Sequence, residues 1–430
     1  MKRTVNCSAL ALLAAFAIAG SVSAQTIAIT GGKVFPVSGP AIEGGTVLIR
    51  NGKIAAVGKD IAIPNDAEKI DATGKWVTPG LVNSSTSLGL GDVGFSGGPR
   101  ETSAKGHDGI AAGFEVWLGF NPQSVMIAPA REGGVTTLMV TPSGGLVSGQ
   151  AALVDMDGAL SLADVLVKTP ATMVAQIEDA GSAKVGAAGE LLGQLRDLLD
   201  DTKSYMRRKP DFERAQTRTF VATRRDLEAM IPVVEGREPL TVYADRVNEI
   251  EAVLALAKDY KIKVVVSGGA EAWMVADKLA AAKVPVLTGA MNNIPGSFNT
   301  LGSRQENAAM LRKAGVQVGI IGNAGGGDED MFNVRNVRYE AGNAVAYGMS
   351  WDDALRAITL APAEIYGVSG SIGSLKAGTE ANVVVWSGDP FEFASRAEQV
   401  FVRGKKLDSP SRQDMLAKRY KTLPPKYSTP

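Results

Sequence analysis

The chain has 430 residues, 45% of them hydrophobic, and its 45 basic and 45 acidic side chains give a formal net charge of zero. A chain of this size can bury an extensive core, as one elaborated domain or as two. The balanced charge excludes the basic footprint of a nucleic-acid-binding protein or of one that docks on an anionic membrane. We therefore expect small ligands or protein partners.

Residues 1–24 resemble a targeting segment. Lys2 and Arg3 precede the apolar run Ala9–Ile18, and Val22–Ala24 supplies a small-residue exit. This order is typical of a secretory signal peptide, so we expect a periplasmic or secreted protein. The single cysteine, Cys7, lies inside the segment, and the mature chain would therefore have neither disulfides nor thiolate ligands. No later run is long and apolar enough to predict a membrane span.

The two ends of the mature chain are rich in short β-strands. Residues 25–78 alternate β-rich runs with glycine turns, and Asn51-Gly52 is typical of a tight hairpin. The same pattern of short β-rich runs and turns returns over residues 371–408, for example at Ala381–Trp386. We expect these two segments to form one small composite β-sandwich, with residues 409–430 as a C-terminal tail.

Residues 79–370 alternate predicted strands and helices. The predicted strands are 134–140, 240–243, 262–266, 284–287 and 316–321, and the predicted helices are 247–259, 271–282 and 305–313. Repeated strand-then-helix units predict the α/β class with a parallel sheet, and several in series allow a (β/α)8 TIM-type barrel. Periodicity alone does not separate this barrel from a doubly wound sheet.

Residues 186–238 differ from the rest of the middle segment. A leucine stripe over Leu191–Leu199 predicts a helix, and the segment is dense in charge. We interpret it as a helical insertion into the barrel. It is either a solvated helix pair or a lid or dimer contact.

Several motifs, in order, resemble one protein family. They are the opening I-A-I-T-G-G-K-V-F-P-V, V-T-P-G-L at 77–81, G-G-V-T-T-L-M-V at 133–140, N-V-R-Y-E-A-G at 336–342 and A-N-V-V-V-W at 381–386. Together they make the chain similar to imidazolonepropionase-type members of the amidohydrolase superfamily. The resemblance implies a (β/α)8 barrel beside a composite β-sandwich. It also implies hydrolysis of C–N bonds in cyclic amides or N-acyl and peptide-like substrates, with one or two divalent metals.

The resemblance also implies five metal-ligand positions, which the family fills with four histidines and an aspartate. In this chain they hold Ser85, Ser87, Tyr243, Ser267 and Asn323. None supplies an imidazole or a carboxylate, and neutral hydroxyl and amide groups are poor ligands for Zn²⁺. We therefore expect the family's metal site to be lost and no metal cofactor to be bound.

Other polar residues do not replace these ligands. The single histidine, His107, lies in a glycine-rich loop, and we interpret it as an ordinary loop residue rather than a ligand or base. The acidic run Asp328–Asp330 lacks the spacing of a calcium loop and is interpreted as a solvated loop.

Segments that follow strands line the mouth of a TIM-type barrel. They nominate as pocket residues Arg246, Glu271, Asn292, Asn293 and Arg304. Arg246 either clamps a ligand carboxylate or pairs with a nearby acid. Glu271 has either a functional or a structural role. In the first it orients a ligand or acts as a base, and in the second its charge interacts favourably with a helix dipole.

Three hypotheses about function remain open. The first is an exported hydrolase that acts on C–N bonds without the family's metal ligands. The second is a catalytically inactive pseudoenzyme that binds a small ligand or pairs with an active amidohydrolase subunit, as a homo-oligomer or a heteromer. The third is a different chemistry in the same barrel, for which the sequence offers no constellation of residues.

Overall fold

The computed structural model describes residues 25–91, 100–104, 109–177, 187–322, 329–407, 410 and 412–421. His107, Asn323 and Asp328 lie outside the described residues, as do the predicted targeting segment and much of the predicted tail. The side chains of Glu329 and Asp330 are also outside the description.

Within the described residues the chain forms sixteen strands. They are β1 (Thr26–Val34), β2 (Ile42–Arg50), β3 (Lys53–Gly58), β4 (Glu68–Asp71), β5 (Trp76–Pro79), β6 (Leu81–Thr86), β7 (Val135–Val140), β8 (Val147–Asp155), β9 (Leu166–Gln176), β10 (Leu240–Ala244), β11 (Val264–Gly268), β12 (Val286–Thr288), β13 (Val318–Ile320), β14 (Val383–Trp386), β15 (Ala397–Val402) and β16 (Lys405–Lys406).

The same residues form twelve α-helices, with short 3-10 turns between some of them. The helices are α1 (Ile127–Glu132), α2 (Leu162–Val165), α3 (Ala188–Glu213), α4 (Arg224–Val234), α5 (Val247–Tyr260), α6 (Ala276–Ala282), α7 (Asn307–Lys313), α8 (Glu329–Phe332), α9 (Val337–Ala346), α10 (Trp351–Ala357), α11 (Leu360–Ile365) and α12 (Arg412–Tyr420). None of these helices is both long and apolar enough to cross a membrane.

One sheet is built from both ends of the chain, which confirms the predicted composite architecture. Its strands run in the order β16-β15-β14-β5-β1-β2-β3, and β4 also pairs with β1. The predicted hairpin joins β2 to β3, where Asn51 and Gly52 have φ angles of 53° and 76°. Such left-handed angles at both central residues are what an Asn-Gly turn supplies.

The second sheet is a nearly closed barrel of eight strands, in the order β13-β12-β11-β10-β9-β8-β7-β6. Most neighbours are parallel, but β8 runs antiparallel to both β7 and β9. A short loop at 141–146, rather than a helix, joins β7 to β8, and a connection of this kind reverses the chain direction. The barrel is therefore mixed rather than a strict repeat of strand-helix units.

Alternate residues of the barrel strands face two different cores. One side packs against the surrounding helices, and the other fills the barrel interior. The buried residues of the interior cluster are Met139, Ala151, Leu153, Ala171, Val174, Val265, Leu287, Ile321 and Tyr366.

A buried ion pair joins the composite sheet to the barrel. Asp155 at the end of β8 accepts hydrogen bonds from Thr137 Oγ1 at 2.6 Å and from Arg403 Nε at 3.0 Å. Asn382 Nδ2 also donates to its carboxylate at 3.3 Å. Burial raises the pKa of Asp155, although these donors oppose that shift. Hydrogen bonds from both sheets therefore converge on one desolvated carboxylate.

The segment 186–238 contains α3 and α4, as the leucine stripe predicts. Leu191, Leu195, Leu198 and Leu199 are fully buried. The hydroxyl of the buried Tyr205 donates to Glu228 Oε1 at 2.7 Å, which ties α3 to α4. The helices are thus packed against the protein on one face.

Candidate site at the barrel mouth

Two predicted ligand positions lie side by side at the carboxyl ends of neighbouring strands. Tyr243 of β10 and Ser267 of β11 are directly paired in the parallel register. Tyr243 packs on the interior cluster, as does Val265 of β11. Because side chains alternate along a strand, Ser267 faces the barrel interior as well.

A third predicted position, Ser85, is hydrogen-bonded to Tyr243. Ser85 Oγ lies 3.0 Å from Tyr243 Oη and 3.3 Å from Thr141 Oγ1. Ser267 is fully buried, and its Oγ has no hydrogen-bond partner within the described part of the chain. We call Ser85, Thr141, Tyr243 and Ser267 the mouth hydroxyls.

The backbone around Ser85 is fixed by Asn83, which lies on the same strand, β6. Asn83 Oδ1 accepts from the backbone N–H of Ser85 at 3.1 Å, and Asn83 Nδ2 donates to the carbonyl of Val334 at 3.3 Å. Asn83 therefore serves the scaffold. Its amide is engaged with the backbone rather than with the mouth hydroxyls.

The structure does not bring all five predicted positions together. Ser87 is half-buried in the turn after β6, where its carbonyl accepts from Leu90 N at 3.0 Å. No contact recorded for the described residues joins Ser87 to the mouth hydroxyls. Asn323 lies outside the described residues, so its place is not defined.

The chemistry of the mouth hydroxyls does not fit the family's divalent metal. Zn²⁺ takes thiolate, imidazole or carboxylate ligands, and the four groups here are neutral hydroxyls. Among the residues that the structure describes, no group of three or more His, Cys, Asp and Glu side chains is placed to hold a metal ion.

Acidic residues near the mouth are engaged with backbone N–H groups of the loops. Glu249, which is 1% exposed, accepts from the backbone N–H of Asp245 at 3.2 Å and of Arg246 at 3.1 Å. The Asp245 carboxylate accepts from Ala270 N at 3.0 Å. Gly268 beside it has φ +88°, and a Cβ there would lie 2.7 Å from Asp245 Oδ1. These bonds hold the loops after β10 and β11 together.

A third acid fixes the loop after β12. Glu340 of α9 is fully buried, and its Oε2 accepts from Ala290 N at 2.6 Å and from Met291 N at 2.7 Å. Charged hydrogen bonds of this kind are shorter and stronger than neutral ones. The carboxylate thus holds this loop against α9.

The two charged residues predicted for the pocket also make contacts within the scaffold. Arg246 pairs with Glu249, with Nε 2.7 Å and Nη2 2.5 Å from Oε1. Glu271 Oε2 accepts from Val247 N at 2.9 Å, at the first turn of α5. A carboxylate at that position is favoured by the helix dipole. Glu271 supports a neighbouring helix rather than the one that it precedes in sequence.

The remaining predicted pocket residues lie on the loop between β12 and α7. Asn293 Nδ2 donates to the carbonyl of Gly289 at 2.9 Å, and Asn292 is exposed. Arg304 Nε donates to Glu306 at 3.1 Å, and its guanidinium lies 4.7 Å from the centre of the Trp273 ring.

Three residues that matter for this region were not identified from the sequence. Thr141, Asp245 and Glu340 carry contacts that position the mouth, yet none was nominated as a site residue. Thr141 directly follows the predicted strand 134–140, and Asp245 lies two residues after the predicted strand 240–243, which is a usable signal. Glu340 lies in the family-like stretch N-V-R-Y-E-A-G, but its bond to a loop about fifty residues away is a tertiary contact without a local signal.

The opposite end of the barrel contains a titratable group of a different kind. Glu238, just before β10, is 4% exposed, and neither carboxylate oxygen has a hydrogen-bond partner in the described structure. Burial raises its pKa to about 7, against the opposing charges of Lys168 and Arg237. Lys168 donates its own hydrogen bond to the carbonyl of Tyr366, at 2.7 Å.

The amino-acid sequence is similar to those of known amidohydrolases. Residues 274–407 match the model of the Amidohydrolase family. The chain is 23% identical to the amidohydrolase tasK of Hapsidospora irregularis over 84% of its own length, which spans 39% of that longer protein. It is 24% identical to an imidazolonepropionase of Acidiphilium cryptum, covering 82% of this chain and 89% of the relative.

A solved structure agrees with this assignment over nearly the whole described chain. The crystal structure of an amidohydrolase from Thermotoga maritima superposes with a TM-score of 0.79 at 28% identity, covering 89% of this chain and 99% of that one. The mixed α/β barrel, the sheet from both termini and the sequence relatives all point to the same scaffold. The chain belongs to the amidohydrolase superfamily.

Proposed function

We propose that this amidohydrolase-superfamily protein binds a small polar ligand at its barrel mouth without the family's metal centre. The observation that supports this is the set of mouth hydroxyls. Ser85 and Tyr243 are hydrogen-bonded to each other, and Tyr243 lies in register with Ser267 at positions that the family resemblance assigns to metal ligands.

The chemistry of the mouth hydroxyls favours a neutral ligand rich in hydrogen-bonding groups. Each hydroxyl both donates and accepts, so an amide or a hydroxyl can be bound in either direction. A buried polar group without a partner costs about 1–3 kcal/mol, so a ligand atom that reaches the Ser267 hydroxyl removes a penalty. A cyclic amide or an N-acyl amino acid presents such groups.

The same cluster does not supply the groups that hydrolysis requires. General acid-base work needs a side chain whose pKa lies near the working pH, usually a histidine or a carboxylate. The mouth hydroxyls include neither, and the described carboxylates nearby accept hydrogen bonds from the backbone or from Arg246. We therefore place a ligand-binding pseudoenzyme first.

A second candidate function is hydrolysis of a C–N bond by a route that does not use the family's metal ligands. The likeness to the Thermotoga maritima amidohydrolase and to imidazolonepropionases, which extends over more than four fifths of the chain, favours it. Residues 323–328, which come after β13 in the sequence, lie outside the described residues.

A single experiment separates the two candidates. Mature protein from Gln25 onward is titrated by calorimetry with a panel of cyclic amides and N-acetyl amino acids, and the same panel is then assayed for hydrolysis with and without a chelator. We expect saturable binding of at least one compound and no turnover. Turnover that persists in chelator would establish the hydrolase instead, and an absence of any binding would remove the ligand-binding proposal.

Export and a protein partner complete the proposal. Residues 1–24 support export, because their charge, apolar run and small-residue exit follow the order of a signal peptide. Cell fractionation of a tagged chain tests this, with recovery in the periplasm or the medium expected and a cytoplasmic, unprocessed chain as the contrary result. Pairing with itself or with an active amidohydrolase subunit is tested by co-purification and mass measurement of the complex.

A further inference from the structure

A large groove lies at the end of the barrel opposite the mouth. It has a volume of about 930 Å³ and runs between α5 and α6, beneath the first residues of β10 to β13. We call it the basal groove. Its volume is at the upper end of the range of ligand pockets, which is roughly 300–1,000 Å³. Neither the family resemblance nor the mouth hydroxyls account for a cavity at this place.

The floor of the basal groove is apolar. The apolar side chains that line it are Pro239, Leu254, Ala255, Ala257, Ile262, Val264, Val265, Ala281, Ala282, Val284, Pro285 and Ile365. Two of them, Val265 and Ile365, also contact the cluster that fills the barrel interior. The groove thus runs from the protein surface to the base of the barrel interior. A hydrocarbon chain would find apolar contacts along this path.

The rim of the basal groove is strongly basic. Four lysines lie on it, of which Lys278 pairs with Glu251 at 2.5 Å. The other three, Lys258, Lys263 and Lys283, are exposed and make no ion pair within the described residues. The one acid in the lining, Glu364, accepts hydrogen bonds from Gln317 at 2.8 Å and from Arg356 at 2.5 Å. It is therefore already paired.

Helix ends explain part of this charge but not all of it. Lys258 lies in the last turn of α5 and Lys283 caps α6, where a cation favours the helix dipole. Each helix end carries only about half a negative charge, so three unpaired lysines leave a net positive rim. Lys263 lies outside both helices, just before β11.

We propose that the basal groove binds a long-chain carboxylate, with the hydrocarbon tail on the apolar floor and the carboxylate among Lys258, Lys263 and Lys283. Apolar length gives the affinity, and the lysines select the sign of the head group. This site is separate from the mouth and does not depend on the function proposed there.

The test is calorimetric titration of the mature protein at low ionic strength with decanoate, dodecanoate and dodecyltrimethylammonium, each below its micelle concentration. We expect one saturable site for the carboxylates, with dodecanoate binding roughly tenfold more tightly than decanoate because it buries two more CH2 groups. Affinity falls as salt is added, since the head-group contacts are exposed and screened. Equal binding of the dodecyl cation, or no saturable carboxylate binding, would overturn the proposal.

Matched variants locate the site. Lys258→Glu, Lys263→Glu and Lys283→Glu together should weaken dodecanoate roughly tenfold or more. Lys59→Glu, Lys69→Glu and Lys376→Glu make the same charge change at exposed positions of the terminal segments that form the composite sheet, and should leave the affinity of the groove unaltered. Ala281→Trp, which fills the groove without a change in charge, should also weaken binding while circular dichroism confirms folding. Equal affinity in the groove variants and in the control would refute this location.

Discussion

The two ends of the barrel differ in whether their buried acids have hydrogen-bond partners. At the mouth, the buried acids Glu249 and Glu340 each accept backbone hydrogen bonds, and the hydroxyls of Ser85 and Tyr243 are paired. At the base, Glu238 is buried with neither oxygen bonded, and unpaired lysines surround an apolar groove. The four mouth hydroxyls include no imidazole and no carboxylate. Within the described structure, the base therefore holds a buried carboxylate without hydrogen-bond partners and lysines without ion-pair partners.

This contrast indicates how the loops of the barrel mouth keep their shape. The loops of the mouth are held by acid-to-backbone bonds that do not involve the ligand positions. The hydroxyl side chains of Ser85, Tyr243 and Ser267 are therefore compatible with an intact framework. The contrast is open to experiment at each end of the barrel.

The largest effect is expected from Glu340→Ala. The substitution leaves the buried N–H groups of Ala290 and Met291 without their acceptor, so the free energy of unfolding should fall by about 3 kcal/mol. Urea denaturation measures this loss. Glu340→Gln keeps an acceptor oxygen and should lose less, whereas Glu392→Ala on the exposed surface should change stability by less than about 0.5 kcal/mol. A loss no greater than that of the surface control would show that Glu340 does not hold the mouth.

At the base, Glu238→Gln should stabilise the protein at alkaline pH. The folded pKa of Glu238, about 7, lies above its ordinary value of 4.5, so folding favours the protonated form. The stabilising contribution of protonated Glu238 to the free energy of unfolding is fully present below about pH 4.5, and it is lost as the pH rises through 7. The variant should therefore match the parent at pH 4 and exceed it by about 2 kcal/mol at pH 9. Parallel pH profiles for the two proteins would contradict the assignment.

The smallest effect on stability is expected from Tyr243→Phe. The change removes one hydroxyl from a half-buried hydrogen bond and should cost about 1 kcal/mol or less. The affinity for the tightest-binding cyclic amide of the panel should nevertheless fall roughly tenfold, because the ligand loses one hydrogen-bond partner. Tyr347→Phe, at an exposed position, is the matched control. Unchanged affinity in Tyr243→Phe would show that the ligand does not bind at the mouth hydroxyls.

Local patterns predicted most of the scaffold. The Asn51-Gly52 hairpin and helix α5 are found where the sequence indicates them. Strand β11 begins two residues later than predicted, at Val264, because Ile262 and Lys263 complete the turn that follows α5. Strand β8 was not among the predicted strands, so its antiparallel course was not foreseen.

The site was less predictable than the fold, because its contacts are long-range. The family resemblance identified Ser85, Tyr243 and Ser267, and the structure brings these residues together. Arg246 and Glu271 were proposed as pocket residues from their positions after strands, and the structure shows that each also makes a contact at the start of α5. No local pattern shows that a carboxylate is already bonded to a distant backbone group. That information is tertiary.

The central claim, that the mouth no longer holds a metal centre, is tested most directly by the metal content of the mature protein. The protein is produced in zinc-supplemented medium, desalted without chelator and analysed by mass spectrometry of its metals. We predict well below one equivalent of any divalent transition metal per chain, with ligand binding unchanged by added chelator. One or two equivalents of zinc that survive desalting, with activity lost on chelation, would contradict the account.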